Sequence, residues 1–326
     1  MFMRPCDDPR LLEGLRHACG PLFMEALEDP EVVEIMLNPD GSLWIERYGR
    51  NHERVGEVPL EQGRLILSQV ASGLGLTVNE RSPIVEGEFP LDGSRFEGAF
   101  MPIVGPGPSF SLRKRAGRVF SLEEYVAAGS LVPEAVTIIE DAVRRRLNIV
   151  VVGGTSSGKT TFVNAVIEAI YRLTPSHRLL VLEDTAELQS KSPNAVFFRT
   201  SVLAGVDMHT LAKVSMRYAP QRILVGEVRD SAALELLKLW NTGHPGGVGT
   251  FHADSAEEAL PRLEELVEEA GLGPKQKLIG RAVDLAVYME KTPDNQRRIA
   301  SIIKVNGFNQ RTETYETDTL YSVSPA

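Results

Sequence analysis

Cysteine is nearly absent: the 326-residue chain has two, Cys6 and Cys19, close together near its start. A chain of this length buries a sufficient core without covalent staples, so a disulfide framework is not expected and a reducing compartment fits. Long apolar runs are missing as well. No stretch approaches the roughly 18 apolar residues that span a bilayer, and the opening "MFMRPCDDPR" has no apolar core of signal-peptide type. The expectation is a soluble, cytoplasmic protein, with any docking on a membrane complex left to partners. Basic charge is also in deficit, with 35 Lys and Arg against 44 Asp and Glu, a formal charge of -9. Nucleic-acid binding needs clustered cations that displace counterions, so direct nucleic-acid binding is not expected. Internal repeats, low-complexity blocks and zinc-type Cys/His spacing are not found either.

What is present is ordinary globular composition, 43% hydrophobic and 24% charged, in a chain with room for about two domains at roughly 150 residues each. From Pro21 to Glu46 the pattern is helical, then extended. Leu22, Met24 and Leu27 fall on a short helix, and Asp40-Gly41 in "NPDGS" marks a hairpin. A second helix is predicted over Leu60 to Leu74, stopped by Gly73 and Gly75. The Gly- and Pro-dense segment after Ile84 reads as twisted antiparallel strands. Residues 1–116 are therefore expected to form a small α+β domain, and 117–130 a linker with a capping box at Ser121 and Glu124 and breakers at Gly129 and Pro133. Beyond it, in 131–326, the apolar runs Asn148 to Val152, Arg178 to Leu182, Ile223 to Val225 and Val248 to Phe251 alternate with helix-length segments. That alternation predicts the α/β class, a parallel sheet with crossover helices. The end reads as a hairpin around Pro293-Asp294-Asn295 followed by a polar tail.

"VVGGTSSGKTTFVNAVIEAI", Val151 to Ile170, carries the most specific signal. Gly153, Gly154, Thr155, Ser156, Ser157, Gly158, Lys159 and Thr160 match G-x-x-x-x-G-K-[ST], and Thr161 follows. With Gly near 7% of residues, the four fixed positions arise by chance in on the order of 1% of chains this long. Here a buried strand enters and an amphipathic helix leaves, with Phe162, Val163, Val166, Ile167 and Ile170 on one face. Glycines let backbone N–H groups turn onto phosphate oxygens, and the helix N-terminus adds partial positive charge. Lys159 reaches the β- and γ-phosphates of ATP, and the Thr160 hydroxyl offers an oxygen to Mg²⁺.

Hydrolysis also needs an aimed water and a Mg²⁺ ion steadied from the far side. Acids at neighbouring strand ends are the candidates: Glu227 in "RILVGEVRD", and Glu183 and Asp184 in "LLVLEDTAE". The alternative for each is a solvated loop carboxylate. In "TGHPGGVGTFHADSAEEAL", His252 either senses the γ-phosphate or caps a turn, and His244 reads as a turn cap.

In this order, "GGTSSGKTT", "LEDTAELQ", "RILVGEVRD" and "TGHPGGVGTFHADSA" resemble the Walker A, Asp, Walker B and His boxes of the secretion ATPase superfamily. With "IMLNPDGSLWIER", "PLDGSRFEGAFMPIV" and "SLRKRA", nearly the whole chain is most similar to TrbB-type conjugal transfer ATPases of type IV secretion. Only about the first 20 residues and the tail after Asn309 fall outside the resemblance. It implies a RecA-like P-loop ATPase domain behind a PAS-like α+β domain, assembled as a homo-hexamer with other components of the secretion or conjugation machinery. It further implies Glu227 as the acid that polarises water, Glu183 near Mg²⁺ through water, and His252 as sensor. Arg113 and Arg115, with Arg95 further off, would be phosphate-directed arginines of the first domain, and Arg217 one that reaches a nucleotide across subunits. Without the resemblance, "SLRKRA" is equally a solvated basic turn. Thr250-Phe251-His252 departs from a common Thr-Leu-His order in a way that leaves the packing intact. The tetracysteine segment of some pilus-retraction and type II branches is missing. The rival functions are a nucleotide-gated assembly factor, a DNA-translocating RecA-like motor and a small-molecule kinase.

Overall fold

The computed structural model describes residues 8–115, 117–201, 204–271, 273–292, 294 and 296–323. Cys6, Pro293 and Asn295 lie outside the described residues. The chain divides into two compact units, Met1–Gly117 and Arg118–Ala326.

The first unit opens with α1 (Pro9–Glu28), capped by the Asp8 carboxylate, which accepts from the Arg10 amide at 3.0 Å. The helix starts well before the expected Pro21. Gly20, at φ +70°, kinks it, and Pro21 restarts it because a proline without an amide is tolerated in a first turn. Strands β1 (Val32–Leu37), β2 (Ser42–Arg47), β3 (Glu53–Glu57), β4 (Ile84–Glu88), β5 (Arg95–Ala99) and β6 (Ser109–Arg113) form one antiparallel sheet in the order β3-β2-β1-β6-β5-β4. The hairpin at Asp40-Gly41 forms as expected: the Asp40 carboxylate accepts from the Ser42 amide at 2.9 Å and hydroxyl at 2.6 Å, and Gly41 sits at φ +87°. Helix α2 (Leu60–Gly73) buries Ile66, Leu67, Val70 and Ala71, the one face that its spacing makes apolar. Phe23, Phe89, Phe96 and Phe110 fill the core with ring centroids 5.2–5.8 Å apart.

The second unit begins with α3 (Leu122–Ala127), where Ser121 and Glu124 form the full reciprocal capping box, and α4 (Pro133–Arg145). Then follow β7 (Ile149–Gly153), α5 (Lys159–Leu173), β8 (Leu179–Glu183), β9 (Ala195–Arg199), α6 (Met208–Ser215), β10 (Arg222–Val225), α7 (Ala232–Asn241) and β11 (Val248–Phe251). Helices α8 (Ala259–Glu268) and α9 (Gln276–Ala282) precede β12 (Leu285–Lys291), β13 (Arg297–Asn309) and β14 (Thr314–Ser322). The eight-stranded sheet runs β14-β13-β12-β7-β11-β10-β8-β9. Six strands are parallel, and β13 and β14 are antiparallel, so the sheet is mixed where a parallel one was expected. The expected polar tail is in part a strand. Along β7, Val150 and Val152 pack with α7 and α8, while Ile149 and Val151 pack with α4 and α5, so alternate residues feed two cores.

The amino ends of the strands carry a closed polar cluster. Asn148 Oδ1 accepts from the Gly246 and Gly247 amides at 2.8 and 3.0 Å, and its Nδ2 donates to Ala282 O at 2.7 Å. Arg222, 1% exposed, donates to Gly246 O, Val143 O and His177 Nδ1 at 2.7–3.0 Å.

Candidate nucleotide site

The carboxyl ends of the same strands are built differently. At Gly153, φ is +154° and a Cβ would lie 2.2 Å from Met289 O, so only glycine lets the chain leave β7 this way. Ser156 (φ +59°) and Gly158 (φ +92°) complete the turn. Helix α5 starts at Lys159 with no side-chain cap and no acid in its first turn, leaving its N-terminal amides and positive dipole end to an external anion. Lys159, 9% exposed, folds back to donate to Gly153 O at 2.8 Å and Gly154 O at 2.9 Å. Arg297, at the start of β13, donates from Nε to Ser156 O at 2.9 Å and so holds the loop from behind.

Strand order decides what meets the loop. Because β11 lies between β7 and β10, the residue that follows β11 stands between those that follow the other two. That residue is His252. Its Nδ1 is 3.5 Å from Lys159 Nζ and its Nε2 is 3.2 Å from Glu227 Oε1. The far oxygen of Glu227, Oε2, is 2.5 Å from Arg229 Nη2. Lys159, His252, Glu227 and Arg229 thus form one line across three strand ends. The β10 and β11 ends are tied by Thr250 Oγ1 donating to Gly226 O at 2.6 Å and by the Val228 amide donating to Thr250 O at 2.8 Å. Burial alone would raise the Glu227 pKa, but the Arg229 bond and the charges of Arg229, His252 and Lys159 hold it below the usual value. Burial, then the Lys159 charge, lower that of His252, which favours the neutral ring with Nε2–H directed at Glu227.

Glu183 closes the crevice from β8. It is 1% exposed, and burial pushes its pKa up to about 7 despite bonds to Oε1 from the Glu187 and Leu188 amides at 2.8 and 2.6 Å. Its Oε2 is buried without a hydrogen-bond partner, as is the Ser157 hydroxyl. Gly226 stands beside it, where a Cβ would make ordinary contact with Glu183 Cγ at 3.5 Å. Asp184 turns away to accept from Thr200 Oγ1 at 3.0 Å. Two unsatisfied buried oxygens, Ser157 Oγ in the loop that opens α5 and Glu183 Oε2 beside Gly226, suit a hydrated cation carried in with phosphates. Among the described residues no cluster of three or more His, Cys, Asp or Glu is arranged to hold a metal by itself.

Arg113 and Arg115 belong to the first unit, where Arg113 pairs with Glu34 at 3.1 Å and stands opposite Arg95 across β5 and β6, and Arg115 lies over Gly93. Arg217 is exposed just past α6; its neighbour Tyr218 accepts from Arg178 Nε at 2.8 Å, at the amino ends of β8 and β10, the edge opposite Glu227. His244 Nδ1 is 3.1 Å from Pro220 O at that same edge. Arg229 and Arg297 escaped the motif reading. Arg229 sits inside the quoted "RILVGEVRD", but a lone arginine has no spacing signal, and only β13 folding beside β12 reveals Arg297.

A loop of this shape, opening on an uncapped helix with a lysine in its cradle, defines a phosphate-loop nucleotide-binding domain. The chain belongs to the type II/IV secretion system protein family, whose model matches residues 22–301. It is 48% identical over 312 residues to a probable conjugal transfer protein TrbB of Sinorhizobium fredii, covering 96% of this chain and 95% of that one. Identity to conjugal transfer protein TrbB of Rhizobium radiobacter is 46% over 310 residues, with 95% and 94% covered. Its fold matches that of the Legionella pneumophila ATPase DotB at TM-score 0.62, 20% identity, and 90% and 82% coverage. It also matches the pilus retraction motor PilT with bound ADP at TM-score 0.62, 18% identity, and 91% and 81% coverage. No described helix is long and apolar enough to cross a membrane.

Proposed function

We propose that this protein is a Mg²⁺-dependent ATPase that powers a conjugative type IV secretion apparatus as a homo-hexamer on the cytoplasmic side of the inner membrane. One observation carries the reading: Lys159, His252 and Glu227 stand in line on three adjacent strand ends, in a chain 46–48% identical to TrbB proteins. ATP phosphates replace the Gly153 and Gly154 carbonyls as partners of Lys159 and take the free amides of α5. Thr160 and, through water, Glu183 would hold Mg²⁺, which supplies charge neutralisation between the β- and γ-phosphates. Glu227 orients the attacking water and accepts its proton, and His252 registers the γ-phosphate through Lys159 and Glu227.

The second unit is then the RecA-like motor and the first a PAS-like domain that moves. Arg113 and Arg115 reach the nucleotide when the domains close, and Arg217, at the opposite sheet edge from its own site, serves a neighbouring copy. An arginine on a transferring phosphoryl group is worth ~10³ or more in rate, so its withdrawal after hydrolysis converts chemistry into domain motion. The test is phosphate release by the purified protein with and without Mg²⁺, together with its mass in solution. Magnesium-dependent release from a six-fold assembly is expected. No release, or a persistent monomer with ATP and Mg²⁺, contradicts the reading.

A further inference from the structure

Glu227 is engaged at both ends: Arg229 Nη2 holds Oε2 at 2.5 Å, and His252 Nε2 donates to Oε1 at 3.2 Å. A carboxylate occupied on both oxygens, one of them by a guanidinium, is a poor acceptor for the proton of water. Arg229 is held by charge, from Glu227 first and then from Asp184 and Glu187. Its half-exposed side chain lines an open cleft with Asp184, Asp207 and Asp230, beyond the end of β10. It is also one carboxylate's width from the line that leads through His252 to the phosphate-binding Lys159.

We propose that Arg229 is a γ-phosphate contact that exchanges partners during turnover: the guanidinium leaves Glu227 Oε2 for the terminal phosphate of a bound nucleoside triphosphate. The inference rests on the ATPase reading of this site. A phosphate oxygen cluster is a stronger, bidentate partner for a guanidinium than a single carboxylate oxygen is. A diphosphate lacks that group and leaves the Glu227–Arg229 pair closed. The exchange has two effects at once. It frees Oε2 to accept a proton, and it places a fixed positive charge on the phosphoryl group as it transfers. The water oxygen then bonds to Pγ while the Pγ–O bond to ADP breaks, its electron pair leaving on the ADP oxygen and the water proton passing to Glu227. The triphosphate thereby unlocks its own hydrolysis.

The test uses the full-length protein and the variants Arg229→Gln and Arg229→Lys, with ADP and a non-hydrolysable ATP analogue as probes in calorimetry, and phosphate release alongside. For Arg229→Gln the ADP affinity stays near wild type, the preference for triphosphate over diphosphate falls about tenfold, and kcat falls ~10²-fold or more. Arg229→Lys, which keeps the charge without the fork, recovers part of both losses. The inference is overturned if Arg229→Gln keeps the wild-type triphosphate preference, or if it turns over as fast as wild type or faster, as a mere restraint on Glu227 requires. Loss of ADP binding in Arg229→Gln together with a wild-type ratio in Arg229→Lys overturns it equally. A wild-type protein that releases no phosphate refutes the ATPase reading, while the binding ratios still decide whether Arg229 touches the γ-phosphate.

Discussion

The two ends of the eight-stranded sheet are made from the same kinds of residue and finished in opposite ways. At the amino ends Asn148 uses its side-chain oxygen twice and its nitrogen once, and Arg222 donates from all three guanidinium nitrogens although no carboxylate is bonded to it. Burial lowers the Arg222 pKa to about 10, yet three acceptors keep the cation in place. At the carboxyl ends Glu183 Oε2 and Ser157 Oγ have no hydrogen-bond partner. The Asn148 and Arg222 side chains are satisfied and rigidify the fold, although the neighbouring Arg146 Nε is buried without a hydrogen-bond partner. The carboxyl end keeps capacity in reserve, and reserve capacity is where a ligand supplies what the chain withholds.

Substitutions sharpen that contrast, beginning with the largest effect. Glu227→Gln is expected to cut kcat by ~10³-fold with ADP binding kept, because the proton acceptor is lost along with the charge that pairs with Arg229 and His252. Phosphate release and calorimetry on one sample decide it. Lys159→Ala is expected to weaken ATP binding by about 10²-fold with the fold intact, since the amine bonds to the loop carbonyls of Gly153 and Gly154 and stands beside His252.

The Asn148 cluster behaves in reverse. Asn148→Ala strands two amides and a carbonyl in a buried place and is expected to cost about 3 kcal/mol in urea unfolding, with kcat per folded molecule unaltered. A kinetic defect there at full folding would erase the distinction between the ends.

Glu183→Gln tests the reserve itself. The folded-state pKa of Glu183 is raised from 4.5 to about 7, so below pH ~4.5 the acid is neutral folded or unfolded, and it imposes no penalty. As pH rises to about 7 the penalty grows, and above that it is constant at roughly 3 kcal/mol at most. The Gln variant is therefore expected to match wild type at pH 4.5 and to exceed it at pH 8. Equal differences at both pH values would mean that burial does not tax the carboxylate. The smallest effect belongs to Arg297→Gln, about 1 kcal/mol or several-fold in nucleotide affinity, through a loosened Ser156 carbonyl.

How legible this was in the sequence depended on whether a signal is local. The glycine-bounded loop and the four short apolar strands declare themselves because each is wholly buried and flanked by breakers. Strand β9, "AVFFR", carries a four-residue apolar run, Ala195 to Phe198, but is only half-buried along its length, whereas β14 turns only Tyr315 and Tyr321 towards the cores and has no apolar run to read. The first half of α1 hides behind Gly14 and Gly20, residues that argue against a helix until the kink at Gly20 is seen. Glu227 and His252 were visible as strand-end residues, but that they share a hydrogen-bonded line follows only from β11 lying between β7 and β10. Arg229 and Arg297 depend entirely on such neighbours.

Strand β14 has one more consequence. It is the outermost strand of its sheet, threaded with Thr, Glu and Asp, and its pairing with β13 slips at Ile302/Ile303 and again at Val305/Gly307. An irregular, acidic border repels a like border on another molecule and offers no straight ladder for it to join. Copies of the chain that meet at high concentration are thereby denied the cheapest wrong way of sticking together.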